Sequence, residues 1–86
     1  VNVLGGGQEW IARQFAAARP DRFTGVRWHP GPLGVPRLEG AVAWFDCRLA
    51  QAQPAGDHQL LIGGVERFAA SEEPPLLFVR GAFRAF

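Results

Sequence analysis

The sequence predicts a mainly β fold, in which one long antiparallel hairpin and a shorter strand accompany a single helix. Apolar residues recur at every second position over 41–49, as in a strand. A turn signal, Pro54-Ala55-Gly56-Asp57, follows that run. Apolar residues also recur at helical spacing over 8–19. The order is strand, helix, loop, long hairpin and strand, which is typical of an α+β or barrel-type segment.

The predicted helix runs from Gln8 to Arg19. Glu9 and Arg13 stand four positions apart in the order that favours an ion pair on a helix, and Pro20 ends the segment. The short apolar run before it, Val1 to Leu4, predicts the end of a buried strand. The intervening glycines, 5–7, predict the break between strand and helix.

The predicted hairpin pairs Leu38–Gln53 with Gln59–Ala69, with a bulge or bend at Gly63-Gly64. Its first strand alternates an apolar face (Ala41, Ala43, Phe45, Cys47, Leu49) with a mixed face (Val42, Trp44, Asp46, Arg48). Such alternation is typical of a half-buried strand, and we expect the apolar face to be the inner one. We also expect Leu76–Val79 to join the same sheet, 29–36 to be loop because it holds three Pro and two Gly, and 81–86 to be an aromatic tail.

Composition excludes several classes of protein. At 86 residues the chain makes one domain at most, and 48% hydrophobic with 20% charged residues argues against disorder. The net charge of +1 predicts binding to neither nucleic acid nor an anionic membrane surface. The chain has no Lys, which excludes catalysis by a lysine amine. It has one Thr, Thr24, and one Ser, Ser71, which argues against a serine nucleophile.

The beginning of the chain and its lack of long apolar runs lead to two further expectations. The first residue is Val1 and the chain contains no Met, so we expect a piece of a longer protein. No apolar run approaches the ~18 residues of a membrane helix, and no signal-peptide pattern is present. We therefore expect a cytoplasmic protein.

Four groups of residues invite a functional interpretation. The glycines 5–7 before a helix resemble a phosphate-binding turn, but both nucleotide fingerprints fail, so a plain strand-to-helix turn is favoured. His58, next to Asp57 at the hairpin turn, is either a functional or a merely solvated side chain. A metal site from His29, Cys47 and His58 lacks any recognised spacing, and Cys47 reads as a buried inert thiol. The indoles, Trp10, Trp28 and Trp44, are expected in a core or interface.

The order of these motifs resembles the C-terminal half of the flavin reductase-like family, the FMN-binding split barrels. The matching segments are Val1-Asn2-Val3-Leu4 with Gln8, Phe15-Ala16, Asp21-Arg22-Phe23, Gly34-Val35-Pro36-Arg37-Leu38, Gly40-Ala41, Ala55-Gly56-Asp57-His58, Leu61-Ile62-Gly63-Gly64-Val65 and Pro75-Leu76-Leu77-Phe78-Val79-Arg80-Gly81. The Gly-Asp-His turn ahead of the Pro-Leu-Leu strand is the sharpest of them. On this resemblance, residues 1–86 are the C-terminal portion of a single domain whose N-terminal half is absent.

The resemblance implies an antiparallel barrel, a homodimer, that binds FMN or FAD, oxidises NADH or NADPH and supplies reduced flavin to a monooxygenase. It assigns nicotinamide binding to His58, Asp57, Arg80, Gly81 and Phe83, and the flavin border to Asn2, Leu4, Gly5 and Gln8. It assigns no catalytic residue and no metal ligand. Phe stands at 78 and 83 where the family commonly has Tyr. A flavin-binding module without reductase activity and a non-catalytic β-rich interaction fragment remain alternatives.

Overall fold

The computed structural model describes all residues, 1–86, and its regular elements are mostly antiparallel strands. The strands are β1 (Asn2–Val3), β2 (Trp28–Pro30), β3 (Pro36–Leu38), β4 (Ala43–Ala55), β5 (His58–Ala70), β6 (Leu77–Val79) and β7 (Ala82–Arg84), and the helix α1 covers Glu9–Ala16. A 3₁₀ turn, Gly6–Gln8, leads into α1. The predicted mainly β class with one helix is confirmed.

The long hairpin of β4 and β5 is confirmed. Its register runs from Ala43 opposite Ala70 to Ala55 opposite His58, and Gly56 in the connecting turn has a φ of +66°. The pairing shifts between Asp46 and Cys47 and again beyond Leu49, so the irregularity predicted from the glycine pair is present in this part of the hairpin. The first strand starts at Ala43 rather than at Leu38, since Leu38 belongs to β3.

The helix and the first strand are also confirmed, with a shorter helix than predicted. β1 pairs with β4, with Asn2 opposite Trp44. Glu9 and Arg13 form the expected ion pair, with 3.4 Å between Oε2 and Nε. The helix ends at Ala16, because Ala17 already has an extended backbone (φ −74°, ψ 147°). The prediction of a helix continuing to Arg19 is therefore wrong by three residues.

Three predictions about the remaining segments are wrong. β6 pairs with β7, so Leu76–Val79 does not join the sheet of the long hairpin and the presumed tail holds a strand. The turn between them needs positive φ at Arg80 and Gly81 (53° and 76°), which closes this tight local hairpin. The segment 29–36 is likewise not all loop, because its two ends belong to β2 and β3, which pair with each other.

The inner face of β4 is the mixed face, not the apolar one. Asp46 is 2% exposed and Val42 is buried, whereas Leu49 is 65% exposed. The reason lies in β3, which supplies a charged partner for Asp46. The other buried residues are Gly5, Ile11 and Val26. Trp10 and Trp28 are exposed, so they do not belong to the core of this chain, and an interface position for them stays a prediction. Cys47 is only half-buried.

Candidate functional site

The glycine turn between β1 and α1 has one packed and two open members. Gly5 is buried, and a Cβ atom there would lie 3.1 Å from Cγ1 of Val42. At Gly6 and Gly7 a Cβ atom would meet no heavy atom within 4 Å. The outer backbone of the turn is therefore bare, and a flat ligand could approach it without meeting a side chain. The residues present thus fit the edge of a planar ring system.

Two side chains expected at the flavin border are engaged within the protein. Oδ1 of Asn2 accepts a hydrogen bond from the N–H of Leu38 (2.9 Å), and its Nδ2 donates to the carbonyl of Pro36 (3.2 Å). Oε1 of Gln8 accepts from the N–H of Gly5 (2.9 Å), while its Nε2 donates to the carbonyl of Glu39 (2.9 Å). These amides hold neighbouring segments together.

The structure brings the four predicted flavin-border residues into one region around β1 and the glycine turn. The carbonyl of Leu4 accepts a hydrogen bond from the N–H of Leu76 at 2.8 Å, which ties the region to the start of the C-terminal hairpin. A cleft beside the turn is lined by the three glycines together with Gly40 and Glu73. Glu73 is its one charged lining residue, so the cleft contains no cation of its own to hold a phosphate.

The His58–Asp57 pair lies at the tip of the long hairpin. Nδ1 of His58 is 2.6 Å from Oδ1 of Asp57, and the two side chains are 82% and 94% exposed. A carboxylate can only accept, so Nδ1 carries the proton in this contact and Nε2 is left to face a ligand. β1 meets β4 at Trp44, eleven residues before Ala55 at the tip. At about 3.3 Å per residue that is about 35 Å along the strand, so the pair and the flavin-border residues lie at opposite ends of the hairpin.

The other predicted nicotinamide residues form a separate group beside the end of α1. Arg80 and Gly81 make the turn between β6 and β7. The Phe83 ring lies with its centroid 4.9 Å from that of Phe78 and 5.0 Å from the guanidinium carbon of Arg13. Phe83 therefore has one face engaged with a cation and an edge against a second ring. The predicted site residues thus fall into three places in the fold.

Sequence reasoning missed a cluster that joins the β2–β3 hairpin to β4. The guanidinium of Arg37 lies 3.4 Å from the centre of the Trp44 ring and pairs with Asp46. A Cβ atom at Gly31 would lie 2.5 Å from Nε of Arg37, so the glycine leaves room for the guanidinium. The hydrogen bond from Arg37 holds the pKa of Asp46 below its ordinary value. The available signal was Asp46 itself, the one acidic residue of β4.

The structure contains no cluster of potential metal ligands and no helix that could span a membrane. No three His, Cys, Asp or Glu side chains come together as metal ligands would. The helix α1, at eight residues, is too short to cross a bilayer, and no other helix is longer.

Comparison with known proteins decides the family. A family model described as a flavin reductase like domain matches residues 1–86. The chain belongs to the flavin reductase-like family. Flavin reductase-like relatives include the reductase subunit HsaB of a flavin-dependent monooxygenase from Mycobacterium tuberculosis, 40% identical over 96% of this chain and 46% of that protein. A flavin reductase from Pseudomonas putida is 41% identical over 100% of this chain and 51% of that protein.

A solved flavin reductase-like structure has the same fold. The NADH:FAD oxidoreductase SgcE6 of Streptomyces globisporus, in complex with NAD and FAD fragments, superposes with a TM-score of 0.91. It is 37% identical, and the match covers 99% of this chain and 53% of that one. The chain spans about half the length of these relatives. The family recognised from the motif order is confirmed, and the fold is that of one part of a flavin reductase.

Proposed function

We propose that residues 1–86 are the C-terminal portion of an NAD(P)H:flavin oxidoreductase that supplies reduced FMN or FAD to a partner monooxygenase. The observation that carries the proposal is 40–41% identity along 96–100% of the chain to proteins named as flavin reductases or monooxygenase reductase subunits. The bare glycine turn supports it, because such a backbone suits a planar ligand.

The chain's contribution to this reaction is positioning. A bound flavin supplies the hydride-accepting chemistry, so the protein needs no strong acid or base. Its task is to hold two flat rings in contact and in one orientation. The backbone of Gly6 and Gly7 and the region of Asn2 and Leu4 would border the flavin. The near absence of hydroxyl and lysine side chains agrees with such a role.

The His58–Asp57 pair is assigned to the nicotinamide nucleotide. Because Asp57 accepts the Nδ1 proton, Nε2 of His58 is left to orient the nicotinamide nucleotide through one hydrogen bond. Arg80, Gly81 and Phe83 would border the same nucleotide from the other side once the complete protein brings the two places together.

The surface of the chain supports a larger assembly, which we take to be a homodimer of the complete protein. Only five of the 86 residues are buried. The strand β5 is exposed along its whole length and β4 is exposed from Arg48 onward, which leaves Leu49, Leu61, Val65 and Phe68 uncovered. Exposed apolar surface of this extent favours cover by further protein. Light scattering of the full-length protein tests the dimer, and a monodisperse monomer would overturn it.

The activity is tested with the full-length protein, NADH or NADPH, and added FMN or FAD. The expected result is flavin-dependent loss of the nicotinamide absorbance, and we expect the protein in the cytoplasm, where the nicotinamide pool lies. Flavin binding without oxidation would instead favour the binding module, a possibility raised by Phe78 and Phe83 standing where relatives commonly carry Tyr. A protein that binds no flavin would overturn the proposal and favour an interaction fragment.

A further inference from the structure

We propose that Gln8 is a positioning residue that holds the glycine turn in its flavin-binding shape, so that flavin contacts the backbone of Gly6 and Gly7 and not the Gln8 side chain. The inference rests on the proposed function. In this role Gln8 acts on flavin binding through the shape of the glycine turn.

The Gln8 amide is engaged at both of its polar atoms. Oε1 accepts from the N–H of Gly5 and Nε2 donates to the carbonyl of Glu39, each at 2.9 Å. The side chain thus bridges the glycine turn to a segment 31 residues farther along the chain. Gly40 leaves room for this amide, since a Cβ atom there would lie 2.9 Å from Nε2. Both polar atoms of Gln8 are thus engaged in holding the turn.

The turn needs such a tether because of its composition. Three successive glycines have more conformational freedom than any other tripeptide, and Gly6 and Gly7 touch no other heavy atom where a side chain would begin. Gly5 is held by its N–H to Gln8 and by its carbonyl, which accepts from the Gln8 N–H at 3.0 Å. A ligand that fits only one conformation of the turn has an apparent dissociation constant that rises as the population of that conformation falls.

Gln14 is a matched control in the same segment of chain. Its Nε2 donates to the carbonyls of Arg22 and Thr24, both at 2.8 Å, and so ties a loop to α1 far from the glycine turn. Gln8→Met and Gln14→Met each remove a bridging amide and keep a side chain of similar length. Gln8→Glu is the conservative variant, because it keeps the acceptor for the Gly5 N–H and loses the donor to Glu39.

The experiment uses full-length protein and measures the dissociation constant for FMN and FAD by fluorescence, with amide hydrogen exchange over residues 5–7. In Gln8→Met we expect weaker flavin binding by roughly five- to fiftyfold, from two lost hydrogen bonds, together with faster exchange. Gln8→Glu should fall between Gln8→Met and the wild type. Gln14→Met should leave flavin affinity and exchange at 5–7 unchanged.

Each other outcome overturns a definite statement. If the wild type binds no flavin, the proposed function fails, and this inference falls with it. If the wild type binds flavin and Gln8→Met binds it as tightly as Gln14→Met does, only the positioning role fails. If Gln8→Met loses affinity while exchange at 5–7 stays slow, Gln8 contacts the flavin directly and the inference is wrong.

Discussion

Arg37 and Asp46 form an ion pair between β3 and β4, with 2.5 Å between Nη2 and Oδ2. Asp46 is 2% exposed, and the same guanidinium lies over the Trp44 ring at 3.4 Å from its centre. A buried carboxylate is costly unless it is paired, so the pair and the strand face that carries it depend on each other. This contact explains why the mixed face of β4 is turned inward.

The first prediction compares this pair with an exposed one on the same strand. Asp46→Asn should lower the melting temperature of the full-length protein clearly, because Arg37 would be left without its partner. Glu66→Gln, which breaks the exposed Arg48–Glu66 pair, should cost at most about 1 kcal/mol. Thermal unfolding followed by circular dichroism measures both. Equal shifts would contradict a special role for the buried pair.

The second prediction concerns acid. The pKa of Asp46 is lowered in the folded protein, first by the hydrogen bond from Arg37, so the pair contributes stability above the unfolded pKa of about 3.9. That contribution is lost as the pH falls through the folded pKa. The pKa of Asp21 is also lowered, first by the hydrogen bond from the Thr24 hydroxyl, so protonation of Asp21 in acid likewise lowers the stability of the folded protein. The gap in melting temperature between wild type and Asp46→Asn should therefore narrow below about pH 4. A gap that stays constant down to pH 2 would rule out this linkage.

The third prediction tests the space that Gly31 leaves for Arg37. Gly31→Ala places a methyl group against the guanidinium, and we expect a loss of about 1–3 kcal/mol from displacement of Arg37. Gly64→Ala is the control, since the nearest atom to its Cβ would be the carbonyl oxygen of Arg48 at 3.9 Å. That substitution should be neutral or slightly stabilising. Urea unfolding of both variants gives the free energies of unfolding. An unchanged value for Gly31→Ala would show that Arg37 can move at no cost.

The fourth prediction concerns His58 in the proposed reaction. His58→Ala should lower kcat/KM for the nicotinamide substrate roughly five- to a hundredfold, on the order of 1–3 kcal/mol, by removing one hydrogen bond. The affinity for flavin should change little, because the flavin-border residues lie at the other end of the hairpin. His29→Ala, which removes the other histidine, is the control. If steady-state oxidation of NADH and NADPH is unaltered in His58→Ala, His58 is only a solvated turn residue.

The family could be predicted from the sequence, whereas the hydrogen-bond partners of individual side chains could not. The Gly-Asp-His turn and the glycine turn are local features, so their geometry follows from adjacent residues. Asn2 and Gln8 were expected at the flavin border, yet their amides bond to Leu38 and Glu39, which lie 36 and 31 residues away. No residue close to Asn2 or Gln8 in the sequence indicates those partners.

By itself the sequence determined the elements that depend on short-range pattern: the helix begun after three glycines, the hairpin closed at Gly56, and the ion pair from Glu9 to Arg13. Tertiary structure decided which face of β4 is buried. The burial of Asp46 over Leu49 follows from a guanidinium on another strand, whereas the pairing of β6 with β7 is a local feature, closed by positive φ angles at Arg80 and Gly81. An alternating pattern gives a strand two distinct faces. The side chains that pack against each face decide which of the two is buried.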